Sequence, residues 1–303
     1  PAESTSASAP DRKLNIACIL DEITFSSFHP EATLHRLSPS HWRAELEAAK
    51  PDLLFIESAG YGKDELWCNA IGQTSGELPG IVEWCRAKQV PTVLWCKEDP
   101  IHFETFLNIA KLFDYLFTPD IDSIYRYKGA LGHDRVYLLP FACQPGTNNP
   151  IETYQRKDAF CFMGAYHVRY PERTRELSAF VLELPAFRPL EIYDCNYGKN
   201  DPDYQFPAEF RQYIVGAPPL AQIDRVHKGY RYAINLNLIK QSQSMFDRRL
   251  FELLAASTIT ISNFSRGLRL LFGDLVIATD SGAEVIRRLK KLTDNEPRSR
   301  KFR

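Results

Sequence analysis

The sequence contains no apolar run of the roughly 18 to 20 residues that a membrane-spanning helix needs. Its opening, PAESTSASAPDR, lacks the apolar core of a secretion signal. Both absences point to a cytoplasmic protein. There are seven cysteines (Cys18, Cys68, Cys85, Cys96, Cys143, Cys161 and Cys195) but no C-x-x-C pair. Three of them fall in apparent strands, where a free thiol behaves as a small hydrophobe, so reduced structural thiols are expected. The seven histidines show neither H-x-x-x-H nor H-E-x-x-H spacing, and no zinc site is expected. Charge of one sign is lacking as well. With 37 basic and 38 acidic residues the net charge is -1, which removes any global electrostatic case for a nucleic-acid or anionic-membrane partner. Gly60-Tyr61-Gly62 is not G-x-G-x-x-G and no acid-bearing fingerprint follows it, which argues against a dehydrogenase-type dinucleotide site.

What the chain does have is alternation. From Leu14 onward, short apolar runs (LNIACIL, PDLLFIES, PTVLWC, FDYLFTPD, RVYLLPF) take turns with amphipathic stretches such as SHWRAELEAAK and HFETFLNIAKL. Strands apolar on both faces, separated by helical segments, predict a parallel sheet covered on both sides. Residues 13–143 therefore read as one Rossmann-like domain, after a small, polar leader over 1–12. ACQPGTNNPIETYQRK, centred on a linker at 144–158, precedes a second alternation over 159–303. The last helix carries a capping-box start, Ser281 with Glu284. The expected fold class is α/β, with two Rossmann-like domains facing each other across a cleft, and ligands beyond the carboxyl ends of the strands.

Charged residues at those ends are site candidates. In the first half the strands end in Asp21-Glu22, Glu57-Ser58 and KEDPIH, so acids gather on one rim. Glu98, Asp99 and His102 are the densest group and are candidates to orient or deprotonate an acceptor hydroxyl. Pro100 is expected to start the next helix, with Asp99 as its cap in the alternative reading. In the second half the first strand ends at Gly164, where a missing side chain allows close approach of a ligand or another backbone, or simply a tight turn. His227, Lys228 and Arg231 cluster before the strand AINLNL, on either a solvated face or a diphosphate.

The segment SMFDRRLFELLAASTITISN reads as a turn, a helix from Arg248 to about Ala256 capped by Asp247, and a buried strand. Leu250, Phe251, Leu253, Leu254, Ala255 and Ala256 wrap most of its circumference in apolar side chains, so the helix is expected to be buried. Glu252 then needs a partner, because an unpaired buried charge costs several kcal/mol. Arg248, one turn earlier, is one option; a pair of ligand hydroxyls, as on a ribose, is the other. The loop 241–245, including Ser244 and Met245, is expected to offer free backbone N–H groups to phosphate oxygens, with Arg248 or Arg249 adding charge. A phosphate binder beside a ribose binder implies a nucleotide.

Four stretches, WCKEDPIHFETFLNIAKLFDYLFTPDIDSIYRYK, FCFMGAYHVRYPERT, HKGYRYAINLN and SMFDRRLFELLAASTITISNFSRGL, in this order resemble the spore-maturation-type (CgeB-like) glycosyltransferases. The likeness runs from residue 14 to about 290. It implies the two-Rossmann GT-B architecture and transfer of a sugar from a nucleotide-sugar donor, with a UDP-sugar expected, to a glycan-type or small-molecule acceptor. The donor would sit on the C-terminal domain and the acceptor on the N-terminal one. Glu252 falls at the ribose carboxylate, Arg248 and Arg249 on the phosphate side, and Gly164 at the first turn of the donor domain. Two positions depart from the pattern: Ser257 where a Gly is usual, and Ser244 where a second acid is usual. No D-x-D stands at a donor-side strand end, so no metal and no cofactor beyond the donor are expected. The rival expectations are a non-catalytic two-domain binder of a nucleotide or small ligand, and a phage-type transferase acting on modified DNA. The near-neutral charge speaks against the latter.

Overall fold

The computed structural model describes residues 12–58, 61–68, 71, 76–152, 154–218 and 223–293. The expected leader, apart from Arg12, and the chain end lie outside them. The chain divides into two compact units, Pro1–Pro140 and Phe141–Arg303.

The first unit runs β1 (Asn15–Ile19), α1 (Glu22–Phe28), β2 (Thr33–Arg36), α2 (Trp42–Ala49), β3 (Leu53–Glu57), α3 (Glu77–Ala87), β4 (Thr92–Trp95), α4 (Phe103–Ala110), β5 (Tyr115–Thr118), α5 (Ile121–Leu131) and β6 (Val136–Leu138). Its six strands pair in the order β2-β1-β3-β4-β5-β6, all parallel. The order reverses between β1 and β3, and the carboxyl ends of those strands flank this switch point. Ile19, Leu54, Ile56 and Leu94 are almost wholly buried against Leu46, Ile81 and Ile109 of the covering helices.

The second unit runs β7 (Lys157–Gly164), α6 (Pro171–Glu183), β8 (Leu190–Asp194), β9 (Ile214–Gly216), α7 (Ile223–Lys228), β10 (Tyr230–Asn235), α8 (Arg249–Ala255), β11 (Ile259–Ser262), α9 (Arg266–Phe272), β12 (Ile277–Ala278) and α10 (Gly282–Thr293). Its order is β12-β11-β10-β7-β8-β9, again parallel throughout. That is the doubly wound Rossmann order, with its switch between β7 and β10. Phe160, Phe162, Leu177, Phe180 and Ile192 form the core between β7, β8 and α6.

The alternation of apolar runs predicted both sheets, but it gave no strand at Thr33–Arg36 or Ile214–Gly216. Both are short edge strands, partly exposed, so neither carries the apolar signature. The α10 capping box is half formed. The Ser281 hydroxyl accepts from the Glu284 backbone N–H at 3.3 Å, but the Glu284 carboxylate turns to Arg287 and Arg288.

Candidate functional site

On the second unit, α8 is fixed at both ends by long-range bonds. Asn237, two residues beyond β10, accepts the Asp247 backbone N–H at 2.8 Å. Its amide nitrogen reaches Ser262 Oγ at 2.9 Å and Asn263 Oδ1 at 3.2 Å. Asp247 Oδ1 accepts from the Arg249 N–H at 2.8 Å, so the expected cap works one residue before the helix end. At the other end Arg156 donates to Ala256 O at 2.6 Å and to Thr258 Oγ1 at 2.9 Å, placing a cation on the helix C-terminus.

Leu250, Glu252 and Leu253 are the buried residues of α8. Glu252 is 9% exposed. Arg248 Nε lies 3.3 Å from its Oε1, an ion pair without hydrogen-bond geometry, and His227 Nε2 lies 3.8 Å from its Oε2. The carboxylate is flanked on both sides and clamped on neither. Cys143, in the segment leading into the unit, feels it too: burial raises the thiol pKa and the Glu252 charge adds to the rise.

A second feature escaped the sequence reading. Arg173 of α6 is 9% exposed and donates to Ala165 O, just beyond β7, at 3.0 Å. Burial lowers its pKa, Asp247 opposes the shift, and the charge of Arg249 adds to it. Among the described residues neither Arg173 nor Arg249 has a carboxylate within 4 Å. Two neighbouring guanidiniums at the carboxyl ends of β7 and β10 are thus without an ion-pair partner, a setting that suits an anion. The only sequence signal was PERT at the start of α6, and its meaning depends on where that helix docks.

Several expected contacts are corrected. Lys228 is buried, and its ammonium donates to Asn149 Oδ1 at 2.9 Å. The loop 241–245 does not present free N–H groups at Ser244 and Met245, because the Ser242 hydroxyl accepts both, at 3.3 and 2.9 Å. Gly164 packs against the ring of Phe162. A Cβ there would lie 2.8 Å from Cζ of the buried Phe162 ring. Ser257 sits at φ 54°, the left-handed region that favours glycine.

On the first unit, the acids of the rim are tied together. Lys97 binds both Asp21 Oδ2 and, at 3.1 Å, Glu57 Oε2. Asp21 Oδ1 caps α1 through the Thr24 N–H at 2.7 Å, and its own N–H donates to Glu57. Burial pulls the Lys97 pKa down, yet Glu57 and Asp21 more than offset this and leave it raised. Asp99 does not stand on the rim and does not cap a helix. It is fully buried, accepting from the Thr118 hydroxyl at 2.7 Å and the Tyr127 hydroxyl at 3.0 Å. Burial raises its pKa to about 7 against those two bonds. The helix α4 starts at Phe103, not at Pro100, with His102 as an exposed cap residue making no side-chain cap bond. Glu98 is half-buried beside Lys97. The structure therefore separates Asp99 from Glu98 and His102. Among the described residues no three His, Cys, Asp or Glu side chains are grouped to hold a metal ion, and no helix is long and apolar enough to cross a membrane.

Two successive doubly wound parallel sheets define the GT-B fold class. No protein-family model matches the chain. It is similar to spore protein CgeB of Bacillus subtilis (strain 168), with 22% identity over 193 residues, 59% of this chain and 58% of that protein. The chain thus spans less than two thirds of the length of that relative. Among solved structures it is similar to Anabaena HepE in complex with UDP-glucose (TM-score 0.57, 10% identity, 95% of this chain and 92% of that one). It is also similar to a glycosyltransferase from Rickettsia africae ESF-5 (TM-score 0.54, 8% identity, 93% and 89%). These likenesses bear out the GT-B fold and the CgeB-like character read from the sequence.

Proposed function

We propose that the chain is a glycosyltransferase that takes a sugar from a nucleoside-diphosphate sugar, a UDP-sugar in the first instance, and places it on an acceptor hydroxyl. The observation that carries this reading is the pairing, at one end of one Rossmann sheet, of a nearly buried carboxylate, Glu252, with two guanidiniums, Arg173 and Arg249; among the described residues the carboxylate has no hydrogen bond and the guanidiniums no carboxylate within 4 Å. The UDP-glucose carried by the HepE structure and the name of the Rickettsia relative support it by fold analogy.

Glu252 would accept the two ribose hydroxyls, for which a carboxylate has enough lone pairs. Arg249 and Arg173 would meet the diphosphate. As the bond from the anomeric carbon to the phosphate oxygen breaks, the electron pair stays on the diphosphate, and the guanidiniums take up that growing charge in place of a metal. The acceptor oxygen forms the new bond to the anomeric carbon and gives its proton to a general base. Glu98 and the exposed His102 are the candidates for that contact. Asp99, buried although it lies between them in the chain, would act only by holding Thr118 and Tyr127.

Calorimetric titration with UDP tests the donor site. Wild-type protein is expected to bind, and Glu252→Ala to bind at least tenfold more weakly. Unchanged affinity in that variant would remove the basis of the assignment. Slow release of sugar from a UDP-sugar in water is expected of a transferase and not of a non-catalytic binder.

A further inference from the structure

His227 lies near the end of α7 with its ring 1% exposed, and among the described residues neither ring nitrogen has a hydrogen-bond partner. A buried imidazole with both nitrogens unsatisfied is unfavourable, and an apolar side chain of similar volume would fill the space without that penalty. The fold does not use the ring as an anchor. It is the backbone carbonyl of His227 that accepts a hydrogen bond, from the Thr258 hydroxyl. The nearest polar atom of interest is Glu252 Oε2, 3.8 Å from Nε2. That is too long for a hydrogen bond, but a movement of about 0.9 Å would bring it to the usual N–H···O distance of roughly 2.9 Å.

The chemistry of the ring narrows what it can do. Burial, then the charges of Arg249 and Arg248, push its pKa down to about 3, so it is neutral near pH 7 and keeps one N–H and one lone pair. A neutral imidazole does not cancel the charge of Glu252. It can aim that carboxylate. Arg248 flanks the opposite oxygen at 3.3 Å without hydrogen-bond geometry, so the carboxylate plane is left to be set by whichever donor closes first.

We propose that His227 is a positioning residue for Glu252: on nucleotide binding its Nε2–H closes onto Oε2 and fixes the carboxylate plane facing the ribose 2′- and 3′-hydroxyls. This rests on the reading of Glu252 as the ribose carboxylate. His227 itself does not touch the ligand, so its influence is confined to ribose recognition and does not extend to the base or the diphosphate.

The test is the ratio of affinities for UDP and 2′,3′-dideoxy-UDP, measured by calorimetry on the full chain. Wild type is expected to favour UDP by tenfold or more. His227→Phe is expected to lower that ratio at least fivefold by weakening UDP while leaving the dideoxy compound unchanged. His227→Gln, whose amide nitrogen stands where Nε2 does, is expected to keep most of the ratio, and His227→Asn, which places it nearer Nδ1, to lose it. A wild-type ratio near one, or no binding of either compound, sinks the reading of Glu252. A large wild-type ratio that survives in folded His227→Phe overturns the positioning role alone. Should the Phe variant not fold, equal ratios in the Gln and Asn variants overturn it equally well.

Discussion

Asn237 Oδ1 and the Asp247 backbone N–H are joined at 2.8 Å, and through that bond the end of β10 sets where α8 begins. Asn237 is fully buried, with Asn235, Ser262 and Asn263 also bonded to its side chain. Asn237→Ala leaves these groups unsatisfied and is expected to destabilise the second unit by about 1–3 kcal/mol. UDP affinity is expected to fall as well, because Arg249 and Glu252 are carried on the loosened helix. Urea denaturation and titration on the same variant check both halves.

The two arginines at the start of α8 are expected to behave differently. Arg248 faces Glu252, whereas Arg249 lies toward Arg173 and, among the described residues, its guanidinium has no carboxylate within 4 Å. Arg249→Ala is expected to lower kcat by a factor on the order of 10²–10³ by removing charge from the leaving diphosphate. Arg248→Ala is expected to act mainly on KM. Steady-state hydrolysis of a UDP-sugar separates the two; equal effects on kcat would remove the distinction.

Ser257 follows α8 at φ 54°, with its N–H on Leu254 O and the next N–H on Leu253 O, both at 3.0 Å. A side chain there strains the left-handed turn by about 1–2 kcal/mol. Ser257→Gly is expected to raise the unfolding midpoint by about 2–4 °C. A lower midpoint would show that the hydroxyl has an offsetting role.

Asp99 gives the first unit a pH signature. Its folded pKa of about 7 lies above the ordinary value of 3.8, so the native state holds this proton more tightly than the unfolded chain does. The stabilisation is complete below about pH 4 and is lost as pH rises through about 7. At most about 4 kcal/mol is involved, from 1.36 kcal/mol per pKa unit. In Asp99→Asn the slope of urea stability between pH 4.5 and 7.5 is expected to become less negative; an unchanged slope would place its cause elsewhere.

Much of this architecture was legible because parallel strands buried on both faces print continuous apolar runs, as NIACI, LLFIE and AFCFM do. Glu252 was legible for the same reason: a charge on a helix that is greasy around most of its circumference stands out. What could not be read depends on distance along the chain. Lys228 finds Asn149 across 79 residues and Lys97 finds Asp21 across 76, so no local pattern distinguished a buried partner from a phosphate ligand or a solvated head. Gly164 hid its neighbour for a related reason. Its empty side is filled by Phe162, two residues back on the same strand, and only the ring's rotamer reveals it. Asp99 looked like a cap because Pro100 favours a helix start, yet the turn continues to Phe103 and sinks the acid beneath it.

Arg156 bonds Ala256 O, 100 residues further along the chain, while standing just before β7. The boundary of a minimal second unit is therefore set by a side chain outside every regular element. A fragment begun at Lys157 would retain all six strands of the second sheet and still leave the carboxyl terminus of α8 untethered, with Thr258 and Tyr230 deprived of the same donor.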